Sequence, residues 1–542
     1  MYRTLLVAVL LSLPVSAAPA EKFDVVVYGG TAGGVIAAVS AAREGLNVAL
    51  IEPTRHLGGM VSGGLSWTDV GRKEVIGGYA LEFYLRAGRY YEMSHYEQEI
   101  AWTVEPRVAG EILRQMLDQA HVTVVLNHRL REKDGVVKNG LTLTRIVMED
   151  GTSYAANIFI DSSYEGDLMA QAGVSYIWGR ESTSQYGESL AGVRGETPKH
   201  QFTVNISPRD AAGKLLPEIS PDPPGPPGSA DKKVQSYNFR MCFSDDPANQ
   251  VPFPKPPGYD PHRYELLAFL LKARTAAEGA PPRLNTLMKI DRIENHKTDV
   301  NNNGAFSTDY LGGSWDYPNA SYAKRQEIWD ATKNYTEGFF YFLANDPQVP
   351  PTTQKEMRGW GLCKDEYADD DNWPYQLYIR EARRMVGDFV MTQKDLQTDR
   401  TKPDPIGMGS YNSDSHNVER IISPQGFVRN EGDMQVPVQP YQIPYRIMVP
   451  KRGEAGNLLV PVAFSASHVA YSSVRMEPQY MILGQAAGEA AKLAIEEHRA
   501  VQDVDTAALT ARLRKRGAVM EYRPSVEREV IPFLRLPPRS RR

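Results

Sequence analysis

Cysteine is almost absent from this chain: Cys242 and Cys363 are the only two in 542 residues. They form no C-x-x-C pair, which excludes dithiol chemistry and a cysteine-rich zinc site. A single disulfide in an oxidising compartment, or two separate buried thiols, both suit so small a number. Basic residues are not in surplus either. The formal net charge of −5 excludes the positive stripe of a nucleic-acid binder. Long hydrophobic runs are also missing, and no stretch reaches the length of a membrane span. The longest apolar run, Leu5 to Leu13, follows Arg3 and precedes Ala18-Pro19-Ala20. That is the layout of a cleavable signal peptide over residues 1–20, and it predicts a mature protein in the periplasm or secreted. The leader holds no twin-arginine pair, so export of the unfolded chain is expected.

What is present begins with "FDVVVYGGTAGGVIAA". An apolar strand ending at Tyr28 runs into Gly29, Gly30, Thr31, Ala32, Gly33 and Gly34, then into an alanine-rich helix closed by Gly45. A second strand follows and ends in Glu52. This βαβ unit carries the dinucleotide fingerprint, with Thr31 in place of the second glycine. Small residues let the backbone approach a pyrophosphate, the helix N-terminus supplies N–H donors, and the acid accepts ribose hydroxyls. A second glycine-rich loop, with Gly58, Gly59 and Met60, follows the acid directly and favours FAD over NAD. "NIFIDSSYEGDLMAQAG" predicts a strand ending at Asp161, a turn through Gly166 and Asp167, and a helix. Late in the chain, "NLLVPVAFSAS" predicts a strand, and the small-residue stretch from Gly484 and Gln485 predicts a helix with its N-terminus towards the flavin.

The expected fold is α/β: a Rossmann-like FAD-binding domain assembled from both ends of the chain, with a large inserted mixed α/β substrate domain. Its first part covers 21–177 and its returning part 431–500. Residues 178–430 form the inserted cap, and 501–542 a C-terminal extension. The middle contains no second fingerprint and hence no pyridine-nucleotide domain, so electrons are expected to come from the substrate itself. Tyr378 to Gln393 reads as a helix with Arg380, Arg383 and Arg384 on its faces. Asp299 and Asn301 to Asn303 read as polar turns rather than a metal site, because no EF-hand spacing follows.

The chain resembles the large bacterial FAD-dependent oxidoreductase family that carries the legacy label "xanthan lyase-like". The resemblance rests on "YGGTAGG", "HLGGMVSGGLSWTD", "DSSYEGDL", "NGAFSTDYLGGSWDYP", "YIREARRMVGDFVMTQKD", "IGMGSYNSDSHNVER" and "ASHVAYSSVRMEPQYMILGQAAG". It covers nearly all of the mature chain. One departure is Ala32-Gly33, where many members have Pro-Ala. The resemblance implies the fold and FAD, and leaves the substrate unassigned.

Candidate catalytic residues are His416, His468 and Arg475. His416 lies in Ser413-Asp414-Ser415-His416-Asn417, which suits either substrate orientation and proton removal or a capped turn. His468 follows the late strand and should approach the flavin edge, as base or as a structural hydrogen-bonding group. Arg475 suits either stabilisation of reduced flavin or a carboxylate clamp. Trp315 and Tyr317 suit stacking on a sugar ring or plain packing. The expected activity is oxidation of a polar small molecule, with a carbohydrate-derived alcohol as the favoured class and an unassigned electron acceptor. A redox-neutral eliminase or isomerase, and a binding protein with structural FAD, stand as alternatives.

Overall fold

The computed structural model describes residues 20–93 and 99–524. The expected signal peptide, apart from Ala20, lies outside the described residues.

The strand β1 (Glu21–Tyr28) is apolar and fully buried over its last four residues, as a central parallel strand must be. It feeds α1 (Ala32–Arg43), and β2 (Val48–Ile51) returns parallel to it, pairing Val25 with Val48 and Tyr28 with Ile51. After α2 (Gly78–Tyr90) and α3 (Pro106–Gln119), β3 (Thr123–Val125) adds to the free edge of β2. The chain then forms a meander of β4 (Val136–Asn139), β5 (Thr142–Val147) and β6 (Ser153–Asp161). From Tyr154 to Asp161, β6 lies parallel to β1, and its start is antiparallel to β5 on the other side. The sheet order is β3-β2-β1-β6-β5-β4, and a late two-residue strand, Leu458–Leu459, pairs with β6 as the seventh. Both ends of the chain therefore build one mixed sheet.

The last long helix, Glu477–Glu496, packs along α1. Contact is backbone to backbone. A Cβ on Gly33 would come within 2.9 Å of the Tyr480 carbonyl oxygen, and one on Gly484 would collide with the carbonyl of Gly33. Gln485 belongs to the same contact: its backbone carbonyl accepts from Ser40 Oγ at 2.9 Å and its side chain from the Tyr79 N–H at 2.9 Å. The helix starts seven residues before Gly484, so Gly484 and Gln485 lie two turns inside it and pack against α1 and α2 rather than sit at its N-terminus. Residues 506–516 dock here as well, through Arg512 and Arg516 on Glu44 at 2.5 and 2.6 Å.

The expected helix from Tyr378 to Gln393 does not form. The segment is extended, with a two-residue strand at Arg384–Met385 and a helix only over Gln393–Gln397. Its charges explain this. Arg380, Arg383 and Arg384 are buried and reach Asp309, Asp167 and Glu181 respectively. Extended backbone sends successive side chains to opposite sides, which delivers them to these separate partners. Tertiary pairing overrides local helix propensity here. Cys242 and Cys363 form a disulfide within the middle segment. Among the described residues no helix is long and apolar enough to cross a membrane.

The α1 contact gives a stability test. Gly484→Val should destabilise the fold by about 1–3 kcal/mol or more, because the neighbour it meets is backbone and cannot swing away. Thermal unfolding would show a lowered midpoint, and an unchanged one would refute the close approach.

Candidate active site

The glycine turn leaves β1 with Gly29 at φ +97°, a conformation L side chains rarely adopt, and Gly29 also lies against the Ser163 backbone. Thr31 is the N-cap of α1. Its hydroxyl accepts from Gly34 N at 3.1 Å and donates to Ser162 O at 2.8 Å, which gives a reason for threonine at this position. Ala32, Gly33 and Gly34 form the buried first turn of the helix. Glu52 Oε2 accepts from Gly30 N at 2.6 Å, and Oε1 from Thr54 N and Oγ1 at 2.8 and 2.7 Å. Burial raises the Glu52 carboxyl above its ordinary range, against these hydrogen bonds.

The second glycine loop is strapped to the first, since Gly58 N donates to Gly30 O at 2.6 Å. Met60 N donates to Tyr164 Oη at 2.9 Å, with Gly59 packed on that ring, and the Tyr164 hydroxyl donates to Glu477 Oε1 at 2.6 Å. Three distant segments thus meet at one phenol. Burial pushes Glu477 up to about 8. Asp161, by contrast, is internal scaffolding: it accepts from Ser163 N, Ser163 Oγ and Met169 N at 3.0, 2.7 and 2.8 Å. Burial pushes it up to about 6. Gly166, at φ +66°, takes Ser163 Oγ on its N–H, and Asp167 pairs with Arg325 and Arg383 at 2.7 and 2.6 Å.

Ser162 Oγ, Glu477 Oε2 and Gln479 Oε1 are buried here without a hydrogen-bond partner. Buried polar atoms in proteins are nearly always paired, so such a group beside a glycine-lined helix N-terminus fits a large polar ligand. The residues present fit FAD.

His416 and Arg475 come together in a second, adjoining cluster. Tyr378 lies between two guanidinium groups, Arg380 at 4.4 Å and Arg475 at 5.8 Å from its ring centre. Arg475 also donates to the Tyr378 hydroxyl at 3.2 Å and to the Asp414 carbonyl at 2.9 Å. Arg380 pairs with Asp309 at 3.2 Å, and the other oxygen of Asp309 holds His416 Nδ1 at 2.7 Å. With the proton on Nδ1, Nε2 carries the lone pair, 3.9 Å from Asp414 Oδ2. Burial, reinforced by Arg380, lowers His416 to about 3, so the imidazole is neutral. Burial pushes Asp414 up to about 6, against the pull of Arg475. Burial also pushes Asp309 up, but Arg380 and His416 outweigh it and hold it below the usual carboxylate range.

His468 occupies a different setting. It opens the short helix His468–Val474, with Nδ1 on Glu381 Oε2 at 2.7 Å and its N–H on Glu181 at 2.9 Å. Arg384 lies between the same two glutamates. Gln235 links the neighbourhoods of the two histidines: its amide donates to Glu381 at 3.1 Å and accepts from His416 N at 3.1 Å. Burial, with Arg384 next, lowers His468 to about 3.

Other polar motifs are absorbed by packing. Asp299 pairs with Arg240 at 2.7 Å and takes the Trp67 N–H, and Asn301 accepts from Asn238. Trp315 donates to Val418 O, and Tyr317 to Glu165 at 3.0 Å. Glu105, Asp365 and Glu366 have the spacing of a metal site, but the Lys297 ammonium lies 2.6, 2.8 and 2.6 Å from them and fills that role. Asp309, Tyr378, Tyr164 and Glu477 were not singled out from sequence. Each acts through partners far away in the chain, so no local spacing marks it.

Both histidines have folded pKa values well below the unfolded value of about 6.5. The unfolded chain therefore takes up protons first, and stability present above pH 6.5 falls as pH drops towards 3. Each contributes a slope of up to about 1.4 kcal/mol per pH unit in that window. Thermal melts from pH 7 to 4.5 should fall less steeply for His468→Gln than for the parent, and equal slopes would refute the neutral imidazole.

A family profile described as "FAD dependent oxidoreductase" matches residues 24–513. No curated protein matches the chain. Among solved structures, a geranylgeranyl bacteriochlorophyll reductase-like protein from Thermoplasma acidophilum is 12% identical, with a TM-score of 0.36. That alignment covers 92% of this chain and 88% of the other. The Diels-Alderase PyrE3 of pyrroindomycin biosynthesis is 10% identical, with a TM-score of 0.26, over 52% of this chain and 46% of the other. This chain thus spans under half the length of PyrE3. A flavin-containing monooxygenase from Stenotrophomonas maltophilia is 17% identical, with a TM-score of 0.20, over 31% and 44%. These likenesses are too distant to carry an argument about chemistry, and the family match over most of the sequence carries the assignment: the chain belongs to the FAD-dependent oxidoreductase family.

Proposed function

We propose that this enzyme oxidises an alcohol carbon of a polar small molecule, with a carbohydrate-derived alcohol as the favoured substrate class. The observation that carries the proposal is the neutral His416, held by Asp309 with Nε2 free, beside Tyr378 and the Arg380–Arg475 pair. FAD, when bound, supplies the acceptor for the hydride leaving the alcohol carbon. His416 Nε2 takes the hydroxyl proton as the C–O bond becomes C=O, and Asp309 stabilises the imidazolium that forms. Arg380, Arg475, Tyr378 and Asp414 offer donors and acceptors to the remaining hydroxyls. The electrons then pass to an acceptor that the site does not specify. His468 serves as a positioning residue in the adjoining ion network.

The proposal extends to the narrower grouping labelled "xanthan lyase-like", to the domain limits 21–177, 178–430, 431–500 and 501–542, and to export. The Cys242–Cys363 disulfide supports an oxidising compartment. The first strand begins at Glu21, so cleavage after Ala20 would leave it intact.

Three measurements test this reading. Mixed anaerobically with candidate sugars and polyols, the FAD-loaded enzyme should show lasting bleaching of the flavin. Product without lasting bleaching would instead show a redox-neutral cycle. His416→Ala should slow that reduction about 10²–10⁴-fold with an unchanged flavin spectrum, and a parental rate would place the base elsewhere. N-terminal sequencing of the mature protein should start near Glu21, and an intact Met1 on the exported species would defeat the export proposal.

A further inference from the structure

A cleft of about 470 Å³ lies at the carboxyl ends of the parallel strands. One wall comes from the dinucleotide fold: Thr54 beyond β2, Asn127 beyond β3 and Ser163 beyond β6. The opposite wall comes from the middle of the chain: Arg325 and Trp329 on the helix Tyr322–Asn345, and Gln376 just before the extended segment. In open α/β sheets the nucleotide binds outside the carboxyl ends of the strands, so the first wall is the expected one. The second wall is not part of that fold. Thr54 is hydrogen-bonded to Glu52, which places the cleft beside the ribose-binding acid.

The second wall is built to stay in place. Arg325 is fixed on both oxygens of Asp167 at 2.7 and 3.0 Å and on the carbonyls of Tyr317 and Pro318 at 3.1 Å. Four of its five N–H donors are therefore committed to the fold, and it acts as a brace rather than a phosphate ligand. Trp329 is half-buried, packed edge-on against Phe239 with ring centres 5.1 Å apart. Its indole also lines the cleft, with the Lys333 ammonium 5.7 Å from the ring centre, and offers aromatic area of the kind purines bind. Gln376 presses on the cofactor loop, where its Cβ leaves no space for a side chain on Gly63.

We propose that the adenosine half of FAD is enclosed between the strand ends and this second wall. Trp329 and Gln376 are then binding residues that the dinucleotide fold does not itself supply. Release of the cofactor then requires the middle segment to lift from Asp167. This inference rests on the reading of Glu52 and the glycine turn as the FAD cradle, and the test separates the two.

Apoprotein is titrated with FAD, and binding is followed by quenching of flavin fluorescence, with no turnover involved. Trp329→Ala should weaken FAD binding about ten- to a hundredfold, the range of a lost base–aromatic contact, and Trp329→Phe should recover most of it. Gln376→Ala, which keeps the Cβ that packs on Gly63, should weaken it by a smaller factor and serves as the second variant if Trp329→Ala fails to fold. Glu52→Ala in the same assay reports on the cradle. If Glu52→Ala weakens FAD binding while Trp329→Ala and Gln376→Ala bind like the parent, the enclosure is overturned and the cradle stands. If Glu52→Ala also binds like the parent, the cradle and the enclosure both fall.

Discussion

Two helices from opposite ends of the chain meet with nothing between their backbones at Gly33 and Gly484, and the site depends on that contact. Any side chain there would force the helices apart. The second helix carries Glu477 at its first turn, and the segment just before it carries Arg475 and His468. Bringing the helices together therefore sets Glu477 where Tyr164 and the second glycine loop meet it. Tyr164 then fastens the arrangement, accepting from Met60 N and donating to Glu477. The candidate cradle, drawn from three remote segments, exists only once this packing is complete. Small residues in both helices are thus a condition of assembly.

A second layer of order comes from buried charge. Arg180, Arg380, Arg384 and Arg420 are among the largest fully buried side chains. Burying an ion pair gains little net stability, because desolvation offsets most of the attraction, while removing one partner is strongly destabilising. Such pairs act as keys: Arg380 fits Asp309, Arg383 fits Asp167, and Arg384 fits Glu181. Together they fix the path of an otherwise irregular segment.

The part of this arrangement legible in the sequence is the part that local chemistry dictates. The strand, glycine turn, helix, second strand and Glu52 follow within thirty-two residues, each constrained by its neighbours, and the structure has them in that order. The same local reasoning failed for Tyr378 to Gln393, which reads as a helix and which remote carboxylates draw straight. It also misread Gly484 and Gln485. Their small, helical surroundings are a true signal, but of helix packing, since the helix begins earlier at Glu477. His416 stood out as an imidazole in a polar turn. Its partner Asp309 did not, because a pairing across 107 residues leaves no mark in spacing. Cys242 and Cys363 had the same limit: two cysteines permit a bond, and only the fold brings them together.

Burial acts on the ionisable groups of the site in one direction, and this bears on what can bind. It lowers His416 to about 3, raises Asp414 to about 6 and raises Glu477 to about 8, each time favouring the uncharged form. The guanidinium groups stay charged, but Arg380 faces Asp309, Arg475 faces Asp414, and Arg240 faces Asp299. A ligand entering this cluster meets many donors and acceptors and little unbalanced charge. An anionic substrate would have to draw an arginine away from its carboxylate and leave that carboxylate buried alone, at a cost of several kcal/mol by the usual magnitude for a broken buried pair, about 3–5 kcal/mol. A neutral polyhydroxylated molecule needs no such exchange, since hydroxyl groups can donate to the carboxylates and accept from the guanidinium groups with every pair intact.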